Sequence, residues 1–199
     1  MSNRRERLLD AAICLLGEGG VRAVTHRAVD AAAGVAAGST ANYFSTRDAL
    51  FNAVVERFSA RERADFDDMA ARTFPATPAE LGRVLAEFAR DSAGRNRTLT
   101  LARYAILVEA AHEPALRAQL AATGSRVNAW FANWLRLAGS RDPGRDVHVV
   151  GNYISGLVLH QLAVPAPGFD PAEKITALIE SLIGHRTASP VAGGGAEPA

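Results

Sequence analysis

Eight polar side chains between positions 25 and 47 could meet a charged polymer: Thr25, His26, Arg27, Ser39, Thr40, Asn42, Tyr43 and Arg47. The hydroxyls of Thr25 and Tyr43 can bond phosphate oxygens, and the Arg47 guanidinium can neutralise a phosphate. Thr40 and Asn42 are the best base readers of the set. An asparagine amide pairs bidentately with adenine, and a threonine methyl meets the methyl of thymine. Ala37 and Ala41 offer further methyl groups of the same kind. A different chemistry is hinted at by Glu109 and His112, whose Glu-x-x-His spacing places both on one helix face, as in di-iron carboxylate bundles. Such a centre needs a second copy of the pair, and neither His148 nor His160 has a glutamate three residues upstream. No metal, cofactor or catalytic group is therefore expected. His112 reads as a helix-end residue and Glu109 as a pocket-lining or ion-paired acid.

The elements that must position the first set can be read from the same stretch. Thr25 is a good N-cap, and Ala28, Val29 and Ala32 behind it keep helical spacing. Gly34 can take the left-handed conformation that closes one helix and begins a sharp turn. Val35 then points back into the core. The next helix, expected over Ala36–Tyr43, is short and carries Ala36, Ala37, Gly38 and Ser39, so it buries little but can approach another surface closely. Ser45-Thr46-Arg47-Asp48 reads as the capped entry of a further helix. A helix, a glycine turn and a short exposed helix make a helix-turn-helix, whose second helix enters the major groove of DNA. The first helix, residues 4–18, should cover this unit with Leu9, Ala12, Ile13 and Leu16. The expected head core is Leu9, Ile13, Leu16, Val24, Val29, Val35, Tyr43, Phe44 and Leu50.

Thr25, Val29, Ala32-Ala33-Gly34-Val35, Gly38-Ser39, Tyr43-Phe44 and Arg47-Asp48-Ala49-Leu50, in that order, resemble the DNA-binding head of the TetR family of bacterial transcriptional regulators. The resemblance covers roughly the first quarter of the chain. A less specific likeness, to the ligand domain of such regulators, runs from Ala102 to Leu120. Two positions depart from the family pattern: Ala36 stands where members usually carry Ser or Thr, and Ala41 where they usually carry Tyr. The first change removes a helix cap, the second a contact to phosphate or base. What the resemblance implies is a ligand-responsive regulator, most often a repressor, that binds a palindromic double-stranded DNA operator as a homodimer. Its last two helices would pack against their copies in a four-helix bundle, and a small-molecule effector would release it. Arg47 would take the phosphate-neutralising role of a basic residue at the matching position.

Composition sets the frame. The chain has 199 residues, 48% of them hydrophobic, enough for one large or two small cores. A net charge of +1 excludes a polycation, so any DNA contact depends on local charge. Up to position 47 there are six arginines against four acids. The run Arg4, Arg5, Arg7 can be read as a solvated helix start or as an arm reaching for phosphates. The single cysteine, Cys14, excludes an internal disulfide and is expected in the core beside Ile13, Leu15 and Leu16. No apolar run reaches the ~18 residues a membrane helix needs, and no signal peptide is visible, so a cytoplasmic, membrane-free protein is expected.

Beyond the head the chain reads as all-α, about nine helices in total, with no lasting alternation of the kind strands show. A long fourth helix from Thr46 should connect head to body. Thr77-Pro78-Ala79-Glu80, Glu113-Pro114, Asp142-Pro143 and Asp170-Pro171 each open a helix. The domain reading is 1–48 for the DNA-binding head, 49–185 for the ligand-binding and dimerisation body, and 186–199 for a disordered tail. The body's aromatics serve either as plain core or as the wall of an apolar pocket. The pocket reading picks Phe88, Tyr104, Leu107, Val108, Phe131 and Trp134, with Arg103, Glu109, Asn128 and Asn152 as polar contributors. Two other functions stay open at this point: a helical-bundle metal enzyme using Glu109 and His112, and a ligand-binding bundle without DNA activity.

Overall fold

The computed structural model describes residues 3–184, so the expected tail at 186–199 lies outside the described residues. Nine α-helices and one 3-10 turn make up the fold, with no strand among the described residues. They are α1 (Arg4–Gly19), α2 (His26–Ala32), α3 (Ser39–Tyr43), α4 (Arg47–Arg72), α5 (Pro78–Ala93), α6 (Arg97–Ala110), α7 (Pro114–Leu137), α8 (Pro143–Ala163) and α9 (Ala172–Gly184). The 3-10 turn, Val21–Ala23, joins α1 to α2.

Local chemistry explains most of the boundaries. Thr25, Thr46 and Thr77 each accept a hydrogen bond from the backbone N–H three residues on, satisfying a donor that the helix start leaves free. Glu80 also reaches back to the Ala76 N–H at 2.9 Å. Pro78, Pro114 and Pro143 occupy first helical positions, where a missing N–H costs nothing. One boundary differs from the sequence reading. The third helix begins at Ser39, not Ala36, because Gly38 sits in the left-handed region at φ 88° and interrupts the backbone there.

Two hydrophobic clusters hold the molecule together. One joins Leu8, Leu9, Ile13 and Leu16 of α1 to Val29, Phe44, Leu50, Val54 and Phe58, and then to Ala102, Ile106 and Leu116. The head core therefore does not stop at residue 48; half of α4, the inner face of α6 and the start of α7 complete it. The other cluster joins Leu81, Leu85 and Ala89 of α5 to Trp134, Leu135, Val150, Ile154, Ile175 and Ile179. The most extensive helix pairings are α1 with α6 and α5 with α9. Each has a glycine at its closest point. A Cβ on Gly17 of α1 would lie 2.0 Å from the Thr98 carbonyl oxygen of α6, and one on Gly82 of α5 would lie 2.0 Å from the Thr176 hydroxyl of α9.

Two expected core residues are not in the core. Cys14 is exposed, because the buried face of α1 is set by Leu9, Ala12, Ile13 and Leu16, and position 14 turns away from it. Tyr43 is 47% exposed at the end of α3, and the adjacent Phe44 takes the inward place. Val35 is partly buried against the head cluster, as its position after the turn requires.

Candidate nucleic-acid interface and body cavity

The turn between α2 and α3 is organised by a residue that sequence reading did not single out. The Asp30 carboxylate, 4% exposed, accepts hydrogen bonds from the Gly38 N–H at 2.7 Å, the Thr40 N–H at 2.8 Å and the Thr40 hydroxyl at 2.6 Å. It caps α3 from outside that helix and supplies the acceptor that Ala36 cannot. The Thr40 hydroxyl above all, with the backbone N–H groups of Thr40 and Gly38, holds the Asp30 carboxyl below the usual carboxylate range against the opposing effect of burial. An acid at the C-terminal end of a short helix, eight residues before a glycine that opens another, is the signal that could have found it.

This arrangement engages two of the expected contact residues inside the head. Thr40 is fully buried, with its N–H and its hydroxyl both donating to Asp30, so its side chain presents no surface outside the head. His26 is half-buried and its Nε2 lies 2.6 Å from the Phe44 carbonyl oxygen, to which it donates; it clasps the start of α2 to the end of α3. The physical reason is the later start of α3, which rotates Thr40 inward and leaves Ala41, Asn42 and Tyr43 outward. Thr25, Arg27, Asn42, Tyr43 and Arg47 are exposed on the head. Ser39 is half-buried and donates to the Ala36 carbonyl at 2.6 Å. One Arg47 guanidinium nitrogen donates to the Val21 carbonyl at 3.0 Å, which steadies the side chain while the remaining N–H groups stay exposed. The early arginines are not a loose arm. The Arg5 guanidinium stacks 5.3 Å from the centre of the Phe44 ring, and Arg7 donates to the Ala33 carbonyl, so both lash α1 to the helix-turn-helix.

Below the head, α4, α5, α6 and α8 border an open-mouthed cavity of about 630 Å³. Phe58, Phe66, Met69, Phe88 and Tyr104 supply apolar wall, and on the same wall Arg103 donates to the Glu62 carboxylate at 2.7 Å. A smaller chamber of about 90 Å³ adjoins it, lined by Trp130, Phe131 and Trp134 of α7. Phe88, Tyr104, Phe131 and Trp134 thus line cavity wall. Leu107 and Val108 do not: they are 44% and 64% exposed. They lie one turn beyond Arg103 and Tyr104 on α6, where that helix has run past the cavity. Of the polar contributors expected, Arg103 lines the cavity while Glu109, Asn128 and Asn152 do not. Sequence reading missed Glu62, Phe66 and Met69, although Phe58, Glu62, Phe66 and Met69 recur at the spacing of one helix face.

Burial pushes the Glu62 carboxyl up from its ordinary range, Arg103 pulls it back, and Asp65 one turn away adds to the rise. On α1, Asp10 binds Arg57 through two hydrogen bonds and Arg61 through a third, which ties the middle of α4 to the head. Glu109 lies in the last turn of α6 and His112 in the turn that follows it; no group of three or more metal-binding side chains occurs among the described residues. Nor is any described helix long and apolar enough to cross a membrane.

Comparison with known proteins agrees with this geometry. The model of bacterial regulatory proteins of the tetR family matches residues 8–54, and that of the tetracyclin repressor-like C-terminal domain matches residues 76–185. A transcriptional regulator from Rhodococcus sp. Rha1 superposes with a TM-score of 0.75 at 20% identity, over 94% of this chain and 99% of its own. A TetR-family member from Streptomyces coelicolor A3 gives 0.66 at 26% identity, over 92% and 99%. The multidrug binding protein EbrR, solved in complex with ethidium, gives 0.67 at 28% identity, over 91% and 98%. No curated protein matches the sequence. With a helix-turn-helix held open by Asp30, a helical body around a cavity, and family models matching both parts, the chain belongs to the tetR family of bacterial regulatory proteins and is a DNA-binding transcriptional regulator.

Proposed function

We propose that the chain is a cytoplasmic repressor that binds a palindromic operator as a homodimer and leaves it when a small molecule fills the body cavity. The observation that carries this reading is the turn into α3 and α3 itself, an exposed edge of small residues, Ala37, Gly38 and Ala41, beside Asn42 and Tyr43. Small side chains let the backbone approach the major groove, and a two-fold dimer sets two such edges about one DNA turn apart. The dimer surface is α8 with α9. On α8, Val149, Tyr153 and Leu159 are 37%, 36% and 48% exposed, an unusual outlay of apolar surface. On α9, Ile175 and Ile179 are spent on the core, and the outward side carries Ala177 and Ser181, small enough for close helix approach. Release follows if the effector binds the form unable to span two half-sites more tightly than the DNA-bound form; equal affinity would shift nothing.

Binding to the DNA flanking its own gene, measured by gel shift against unrelated DNA, tests the reading. Retarded own-flank DNA at nanomolar protein is expected, and equal retardation of both would refute operator recognition. Arg47→Ala is expected to weaken binding on every sequence and to reduce the salt dependence by about one unit of slope. Asn42→Ala should instead relax preference at a single base position in selection from random DNA. For the assembly, sedimentation of a Tyr153→Glu variant is expected to show monomer where the parent shows dimer; a dimer that persists would move the interface away from α8.

A further inference from the structure

The two cavities are chambers of one site, because Phe66, Met69, Phe88, Arg103, Ile154 and Ser155 line both. Their charges are unbalanced. Five carboxylates line the larger chamber, Glu62, Asp65, Asp68, Glu87 and Asp91, against three arginines, Arg72, Arg95 and Arg103. Each arginine is already engaged by a carboxylate of the same wall: Arg72 by Asp68, Arg95 by Asp91 and Arg103 by Glu62. Asp65 and Glu87 are left in excess and make no ion pair among the described residues. An anionic ligand would compete with those carboxylates for the arginines and face the two surplus carboxylates as well. A cation meets the surplus directly and disturbs nothing.

The apolar part of the wall is aromatic. The Phe66 and Phe88 rings lie 5.6 Å apart and tilted, at the junction of the chambers, and Tyr104 is anchored beside them by its hydroxyl, which donates to the Ser155 carbonyl at 2.6 Å. Ring faces attract cations as well as apolar groups. Beyond the pair, Trp130, Phe131 and Trp134 surround a pocket with almost no polar groups, and the Trp130 indole N–H is held outward on Asp67 at 2.8 Å. One end of the site thus suits positive charge and the other an apolar or flat group.

We infer that the effector is an amphipathic organic cation, its charged nitrogen or phosphorus held among Glu62, Asp65 and Glu87 and its apolar part lying against the packed Phe66 and Phe88 rings toward Trp134. The inference rests on the reading of this cavity as the effector site. A site of this volume takes a drug-sized molecule. Binding also carries a pH dependence. A docked cation favours ionised Glu62, whose carboxyl is raised in the empty site, so affinity is full above that raised range and falls as the pH is lowered through it.

The test is titration of the full chain without DNA, using ethidium and tetraphenylphosphonium as cationic probes and fluorescein as an anionic one. Saturable micromolar binding of the cations and none of fluorescein is expected. The double variant Asp65→Asn/Glu87→Gln alters only exposed side chains, so folding is not at risk; it should weaken cation binding about tenfold, as should Glu62→Gln. Fluorescein binding as tightly as the cations overturns the inference, as does failure of both cations to bind or unchanged cation affinity in both variants. Adding tetraphenylphosphonium to the operator complex separates the two readings. Cation binding with the operator still held leaves the cation site standing and refutes release. An operator-binding protein that takes up neither cation refutes the cation site alone.

Discussion

Asp30→Ala is expected to weaken operator binding severely while leaving the body helices intact. The substitution strands the N–H groups of Gly38 and Thr40 and the Thr40 hydroxyl, all now served by one carboxylate. Leaving a buried polar group unsatisfied costs about 1–3 kcal/mol. Two of the three, both on buried Thr40, fall in a helix of only five residues, which leaves α3 without the means to hold its place. Operator affinity should fall roughly 100-fold or more, the equivalent of about 3 kcal/mol. Asp30→Asn keeps one acceptor oxygen and should recover part of the loss. Gel shift and circular dichroism read the two effects separately, and an alanine variant that binds operator normally would show that α3 needs no outside cap. The same carboxylate sets an acid limit. Its native pKa is depressed, so its contribution is fully present above the ordinary Asp range and is lost as the pH falls through the lower native value. The head of the parent protein should therefore hold through mildly acidic pH and loosen only in stronger acid, and Asp30→Asn should lack that dependence.

Gly17→Ala is expected to produce the other large effect, at the seam between head and body. The added methyl would fall 2.0 Å from the Thr98 carbonyl oxygen and 2.7 Å from the Thr98 Cγ2, so the helices must part. Overpacking of this kind costs about 1–3 kcal/mol and sometimes more. In a chain of this size that lowers Tm by roughly 2–12 °C. The seam also has a functional position. One face of α6 carries Ala102 and Ile106 into the head cluster, and another carries Leu99, Arg103 and Tyr104 to the cavity. A spread α1–α6 seam should thus change how DNA affinity responds to an effector as well as the melting temperature. Thermal unfolding and operator titration with and without tetraphenylphosphonium measure the two. Unchanged values for both would mean the seam opens at no cost.

How much of this was legible in advance can be traced residue by residue. Helix starts at Thr25, Thr46, Thr77, Pro114 and Pro143 could be read because a cap or a proline acts on its nearest neighbours. The all-helical class followed from apolar spacing, which is also local. Cavity aromatics were partly legible: Phe88 and Trp134 are apolar at the right spacing, but so are Leu107 and Val108, and spacing cannot say where a helix leaves the bundle.

Taken alone, the amino-acid order determined the helices, the glycine turn at Gly34 and the identity of the family, since each depends on residues within a few turns of one another. Tertiary structure decided the rest. It made Thr40, an expected base reader, a partner of Asp30, drew His26 inward, put Cys14 outside, extended the head core through α6, and brought Glu62 to a wall shared with Arg103, 41 positions away. Those outcomes depend on which way a helix faces once others pack on it, and that direction is set by contacts between segments far apart in the chain.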